Sequence, residues 1–464
     1  MPRGRDTRAH RTGTQRASVR GRWGAVIVAA VVGVACTNGG SSPATTAQGS
    51  LASPRTIPQP EVSGVAVAPP ADRVDVVVPT FSHPTEVTNP LFPVSRQASV
   101  LFVGHVDAKP FRTEVTLLPS TRIVEWEGQR IETLVSQYCA YLDGRIQEVA
   151  YDLYAQADDG SVWYFGEDVA DLAHGDIVTK EGTWIVGKDG PAAMIMPDHP
   201  TVGDAYRTEN IPGIAFEQVT VTSVDTTLDG PLGPIPGGLV GQELHMDGAT
   251  EDKLFAPGYG EFYTADGPDV EALALAMPTD AAAGPMPPEL TRMTSDAMGV
   301  FAAVGTGSWG SASAAVADMR SAWAPVKAGG VPRLLEPRVA RSVRRLADAV
   351  GARSHGRARA AAIEAARWSL DLQLRYRPPF EIDIARFGLW AAQLQADAEA
   401  HDASAVNGDI FTLHYIRDRI LTHVDATTLT AINTEIGNLW TAAADRDFTA
   451  AARSAGRLRS AVGA

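Results

Sequence analysis

Cysteine is nearly absent: the 464 residues contain two, Cys36 and Cys139. With Cys36 placed at the end of a leader, Cys139 has no partner, which excludes an internal disulfide framework and any Cys-x-x-Cys redox or zinc pair. His-Glu-x-x-His, Gly-x-Ser-x-Gly and the Ser-x-x-Lys arrangement of penicillin-binding enzymes are also missing, so none of those chemistries has its usual signature here. Long apolar runs are lacking too. The one near the start, residues 23–35, is 13 residues long, against roughly 20 needed for a helix to span a bilayer.

What precedes that run defines it. Seven arginines and one aspartate lie between Met1 and Arg22, and Gly33-Val34-Ala35 leads into Cys36. Basic region, short apolar core and small residues form the pattern of a cleaved secretory signal over residues 1–35. Cys36 with a polar tether behind it resembles a bacterial lipobox, with Gly33 where that pattern prefers leucine. The implied protein is extracytoplasmic and membrane-anchored through lipid on Cys36, with plain secretion as the alternative. Its membrane partner is reached through that anchor.

Removing the leader separates two electrostatic halves. Residues 36–289 carry 12 basic and 36 acidic side chains, while residues 290–464 carry 21 and 17. Phosphate recognition needs clustered Lys and Arg, so nucleic acid is excluded as a partner of the acidic half. Attraction of a cation remains open to it.

Composition also divides the chain. Residues 36–79, rich in Ser, Thr, Pro, Ala and Gly, read as a flexible tether. Residues 80–280 carry short β-prone runs broken by turns, at 99–106, 111–118, 121–127, 131–142, 146–156, 161–167, 181–187, 216–226, 238–246 and 261–264. Short links between sequential strands favour an antiparallel meander, a curled sheet or a partly open barrel. Residues 281–290 form an Ala/Gly/Pro linker, and residues 291–464 are Ala/Leu/Arg-rich with helical spacing. Ser354, Asp402 and Asp425 are candidate caps there, Pro378-Pro379 forces a break, and five to seven helices are expected. The fold class is therefore α+β, an N-terminal antiparallel β-meander followed by a C-terminal all-α bundle.

The densest stretch runs from Tyr151 to Asp168. Asp159-Gly160 is a hairpin turn signal flanked by Tyr, Val, Trp and Phe. A two-residue loop sets Asp152 opposite Glu167, and a four-residue loop sets it opposite Phe165. Either register predicts Asp152, Tyr154, Trp163, Phe165 and Glu167 on one face, the candidate ligand site. This stretch, Tyr-Asp-Leu-Tyr-Ala-Gln followed by Asp-Gly-Ser-Val-Trp-Tyr-Phe-Gly-Glu, resembles the signature of a family of uncharacterised exported bacterial proteins. Further matches lie at 194–197, 203–209 and 213–217. The resemblance covers roughly residues 92–277 and implies an exported β-rich domain, with no activity attached.

Asp152 and Glu167 suggest three chemistries. Two carboxylates beside aromatic rings can divide acid and base roles in a hydrolase. They can instead hold a hard divalent cation such as Ca²⁺, or simply guard a strand edge. His83, His105, His174, His199 and His245 are scattered without legible metal spacing. In the helical half, Asp383, Trp390 and Asp397 recur every seven residues near Arg386 and Arg417, and His414 shares a face with Asp418. Such a seam binds a metal or anion, or seals a helix interface. Gly182 to Lys188 spells a phosphate-loop pattern, but Asp189 replaces its Ser/Thr and no helix pattern follows. The leading expectation is a cell-envelope binding or interaction module for a small ligand, glycan, cation or envelope protein, with no cofactor evident beyond a divalent cation. A carboxylate hydrolase and a purely structural protein are its rivals.

Overall fold

A computed structural model describes residues 55–62 and 64–463. The leader, Cys36 and the first part of the tether lie outside the described residues. Fourteen antiparallel strands form one sheet, followed by eight helices. The first five strands, β1 (Ser99–Val106), β2 (Lys109–Trp126), β3 (Gln129–Leu142), β4 (Arg145–Gln156) and β5 (Val162–Ala173), run as a meander. The two runs expected over 111–127 are one strand, whose pairing with β3 slips between Leu117 and Thr121. Three short strands, β6 (Asp176–Thr179), β7 (Trp184–Ile185) and β8 (Ala193–Met196), cover successive parts of the outer edge of β5.

The second meander comprises β9 (Ala205–Ile211), β10 (Ala215–Asp229), β11 (Pro234–His245), β12 (Thr250–Ala256), β13 (Gly260–Asp266) and β14 (Asp269–Met277), and β14 pairs with β1. The sheet curls until its two ends, β5 with its short partners and β9, approach each other. No ladder joins those ends, so the barrel stays open. Residues 55–79, expected as loose tether, instead pack on this region. Arg73 bridges to Ala205 on β9, Ile57 is buried, and Asp75 accepts from the Arg207 backbone N–H at 2.8 Å. These contacts cover the exposed edge of β9, where unpaired N–H and C=O groups would otherwise invite another strand.

The helices are α1 (Pro288–Gly305), α2 (Trp309–Ala328), α3 (Glu336–Gly351), α4 (His355–Gln373), α5 (Pro379–Glu399), α6 (Ala403–Ile420), α7 (Ala426–Ala444) and α8 (Phe448–Ala461). There is one more than expected, and α1 begins inside the supposed linker. Asp402 and Asp425 cap α6 and α7 by accepting backbone N–H bonds, as does Asp447 for α8, while Ser354 makes no capping bond. Pro379 takes the first turn of α5, where its missing N–H leaves no bond unmade.

Strand parity places the helices. Leu101, Val103, Leu275 and Met277 share a core with α1 to α5, and Cys139, Tyr141, Val149 and Leu172 share one with α5 to α8. The convex face of the sheet is thus covered and the concave face encloses a cavity. Cys139 is fully buried, and burial pushes its thiol up to about 11, which fits the inert residue expected from its apolar setting.

The expected helical seam turns out to be the interface with the sheet. Asp397 pairs with Arg145 of β4 at 2.5 Å, Trp390 stacks on Tyr141 with ring centroids 5.5 Å apart, and Asp418 accepts from the Tyr151 hydroxyl at 2.8 Å. Deeper in, Arg112 and Glu114 of β2 meet Asp371 of α4, Asp383 and Arg386 of α5 and Arg419 of α6, all buried. Arg112 grips Asp371 at 2.6 and 2.9 Å, Arg386 reaches Asp371 at 2.7 Å and Asp383 at 3.0 Å, and Arg419 reaches Glu114 at 2.7 Å. Three cations balance three anions, so no external ion is needed.

Candidate functional site

In the hairpin, Gln156 pairs with Val162 and the Ala157 N–H donates to the Ser161 carbonyl, leaving a three-residue loop that neither expected register contained. One residue later in register, a β-bulge at Phe165-Gly166 restores Asp152 to its place opposite Glu167. Gly166 makes this bulge: its φ is 125°, and an added Cβ would lie 2.3 Å from the Trp184 carbonyl oxygen. Gly166→Ala should therefore cost about 2 kcal/mol or more, read as a lower urea midpoint at unchanged m-value.

The bulge also corrects the expected face. Counting back from Glu167 in steps of two led to Phe165 and Trp163, but the extra residue inverts parity. Trp163 and Phe165 are 1% and 0% exposed and lie on the opposite face. There Phe165 packs on Phe81 and both rings pack on Trp126, and the Trp163 indole N–H donates to Ser161 Oγ at 2.8 Å. They form core, so the glycan-stacking surface expected around Trp163 does not exist. Tyr164, not selected from the sequence, takes their place beside Tyr154. The two rings stack 4.9 Å apart, and the Tyr164 hydroxyl donates to Asp152 Oδ1 at 2.9 Å.

Tyr154, Tyr164 and Glu167 line a cavity of about 730 Å³ on the concave face, within the range of small-molecule sites. Ten carboxylates line it, opposed by Lys253 and His245. Much of the domain's negative charge is therefore turned inward. One row crosses the open seam of the sheet. Asp152 pairs with Glu167, Glu167 hydrogen-bonds to Glu209 of β9, Glu209 pairs with Glu217 of β10, and Glu217 pairs with His245 of β11. Trp184 donates its indole N–H to Glu209 at 3.2 Å. The gap between the sheet's ends is thus bridged by side chains.

Burial sets the protonation of this row. It pushes Asp152 up to about 7, aided by Glu148 and Glu261 and opposed by the Tyr164 hydroxyl. Glu167 is pushed well above the carboxylate range by burial and then by Glu209 and Asp152. Across the cavity, burial raises Glu271 to about 8. Glu217 moves the other way: burial would raise it, but Lys253 and His245 outweigh that and hold it at about 2. The phenols of Tyr138, Tyr154 and Tyr164 are driven well above their ordinary value by burial, so they remain neutral.

Of the five histidines noted in the β domain, His83, His105, His174 and His199 are exposed and His245 is buried. Glu217, Glu243 and His245 each offer a ligand atom within 4.8 Å of the others, a set able to hold a metal ion. The Gly182 to Lys188 pattern forms a turn around β7, where Lys188 pairs with Asp189 at 3.3 Å. No helix follows it, so it makes no phosphate cradle. Comparison with protein-family models, with curated proteins and with solved structures finds no match to this chain.

Proposed function

We propose that the chain is an extracytoplasmic, lipid-anchored binding module whose curled sheet holds a small organic cation, of the amine or polyamine class. The supporting observation is the cavity lining: ten carboxylates and three neutral tyrosines against one lysine and one histidine. Carboxylates neutralise an ammonium group, and tyrosine faces attract it through their π-electrons. The leader pattern supports the location, and no helix among the described residues is long and apolar enough to cross a membrane.

Binding is favoured over hydrolysis by Asp152 and Glu167. A general acid and its partner need pKa values pushed apart, whereas both of these groups are pushed upward by the same burial. A bound cation would draw protons off them. Affinity for spermidine should therefore rise about ten-fold between pH 6 and pH 8 for each proton released, since a group titrating near 7 is mostly protonated at the first pH and mostly ionised at the second. Titration calorimetry in buffers of different ionisation enthalpy measures both affinity and proton release. Binding of a neutral sugar in place of spermidine, or spermidine binding unchanged in Asp152→Asn and Glu167→Gln, would sink the reading.

A further inference from the structure

We propose that Glu217, Glu243 and His245 form a binding site for one divalent transition-metal ion of the zinc class, with Lys253 as its built-in competitor. Three adjacent strands fix the site. Glu217 on β10 is the cross-strand partner of His245 on β11, and Glu243 precedes His245 by two residues, so it shares the inward face. Glu251 on β12 lies opposite Glu243, and Lys253 follows it by two.

One ligand atom from each of Glu217, Glu243 and His245 lies within 4.8 Å of the others, close enough for all three to reach one ion. His245 Nδ1 is 3.4 Å from Glu217 Oε1, and its Nε2 is 3.6 Å from Glu251 Oε1 and 3.9 Å from Glu243 Oε2. Donors at about 2.0–2.2 Å from a tetrahedral ion sit roughly 3.3–3.6 Å apart, and the separation of Nδ1 from Glu217 Oε1 falls in that range. Neither ring nitrogen of His245, which is 8% exposed, makes a hydrogen bond of good geometry, although the carboxylates of Glu217, Glu243 and Glu251 face them. Buried polar atoms without hydrogen bonds are uncommon, and a ligand taken up by His245 would satisfy its ring. If Nδ1 takes the ion, Nε2–H is left facing Glu251, which accepts from Thr264 Oγ1 at 3.1 Å. A carboxylate behind a metal-bound imidazole is the usual way to fix its ring.

Lys253 contends for one of the same donor atoms. Its ammonium lies 2.7 Å from Glu243 Oε2, the oxygen that would bind the ion. Metal and lysine compete for that atom, so removing the ammonium should strengthen metal binding. A merely structural ion pair predicts no such gain.

The test is titration of the full-length protein with Zn²⁺, with Mg²⁺ as hard-cation control, followed by calorimetry and by the visible spectrum of the Co²⁺ form. One saturable zinc site is expected, weakened at least ten-fold in His245→Gln and Glu217→Gln and tightened at least ten-fold in Lys253→Met. Circular dichroism verifies that each variant is folded. Should His245→Gln fail to fold, the gain in Lys253→Met decides alone. Absence of saturable zinc binding in both wild type and Lys253→Met overturns the proposal, as does equal binding in all folded variants. The site shares the cavity with the amine reading but not its evidence. Spermidine titration of the same samples separates them, because loss of zinc binding with spermidine binding intact removes only the metal.

Discussion

Arg386→Ala is expected to lower the unfolding free energy by about 3–5 kcal/mol, the usual consequence of stripping one partner from a buried ion network. Arg386 is 2% exposed and bonds both Asp371 and Asp383, so its loss leaves Arg112 and Arg419 facing Glu114, Asp371 and Asp383 with one uncompensated charge. Arg112 and Arg386 hold Asp371 below its ordinary pKa against the opposing effect of burial. The defect should therefore be largest at neutral pH and shrink toward pH 3, where protonation of a carboxylate removes the surplus charge. Urea unfolding of Arg386→Ala beside Arg386→Met/Asp383→Leu measures it. The double variant, neutral again, should recover part of the loss. Because the network spans β2, α4, α5 and α6, the single variant should also loosen sheet from helices, seen as faster amide exchange in α5 and α6 before global unfolding. A loss under 1 kcal/mol would mean that water reaches the network.

Asp152→Asn should do the opposite and stabilise the ligand-free protein in mild alkali. In the folded state this carboxyl titrates near 7, raised from 3.8 by burial. Below pH 4 folded and unfolded chains both hold the proton. Between 4 and 7 only the folded chain keeps it, so each rise in pH favours unfolding, until the penalty is complete above pH 7. A shift of this size corresponds to at most about 4 kcal/mol. Asparagine still accepts from the Tyr164 hydroxyl and carries no charge to desolvate. The ligand-free wild type should accordingly melt highest near pH 5 and several degrees lower by pH 8.5, while Asp152→Asn falls less over that range and keeps the part of the slope that Glu167 and Glu271 contribute. Glu271, raised to about 8, adds to the wild-type slope in the same direction. Melting scans at a series of pH values check this, and a wild-type curve flat from pH 5 to 8.5 would contradict it.

Much of the plan is local in origin and therefore legible. Alternation and turns located β1 to the residue, Asp402 and Asp425 announced two helix starts, and Asp159-Gly160 announced the hairpin. Other elements lacked a local signal. β14, Asp-Val-Glu-Ala-Leu-Ala-Leu-Ala-Met, is made of helix-favouring residues and is a strand because β1 and β13 flank it. α1 carries glycines at 299 and 305, which weaken helical propensity, and is held by packing against α2 and α4.

The site divides in the same way. The sequence by itself determined the acidic β half, the more basic helical half, and the placement of Asp152 and Glu167 on one face of one hairpin. Only the tertiary structure decided that Gly166 bulges and turns Trp163 and Phe165 into core, and that Tyr164 replaces them. It alone brought Glu209, Glu217 and His245 across an open seam to that pair. The reason is that a two-residue period separates the two faces of a strand without saying which is wet. In β12 the alternating Glu251 and Lys253 look like an outer face, and curling of the sheet made that face the inside of a cavity.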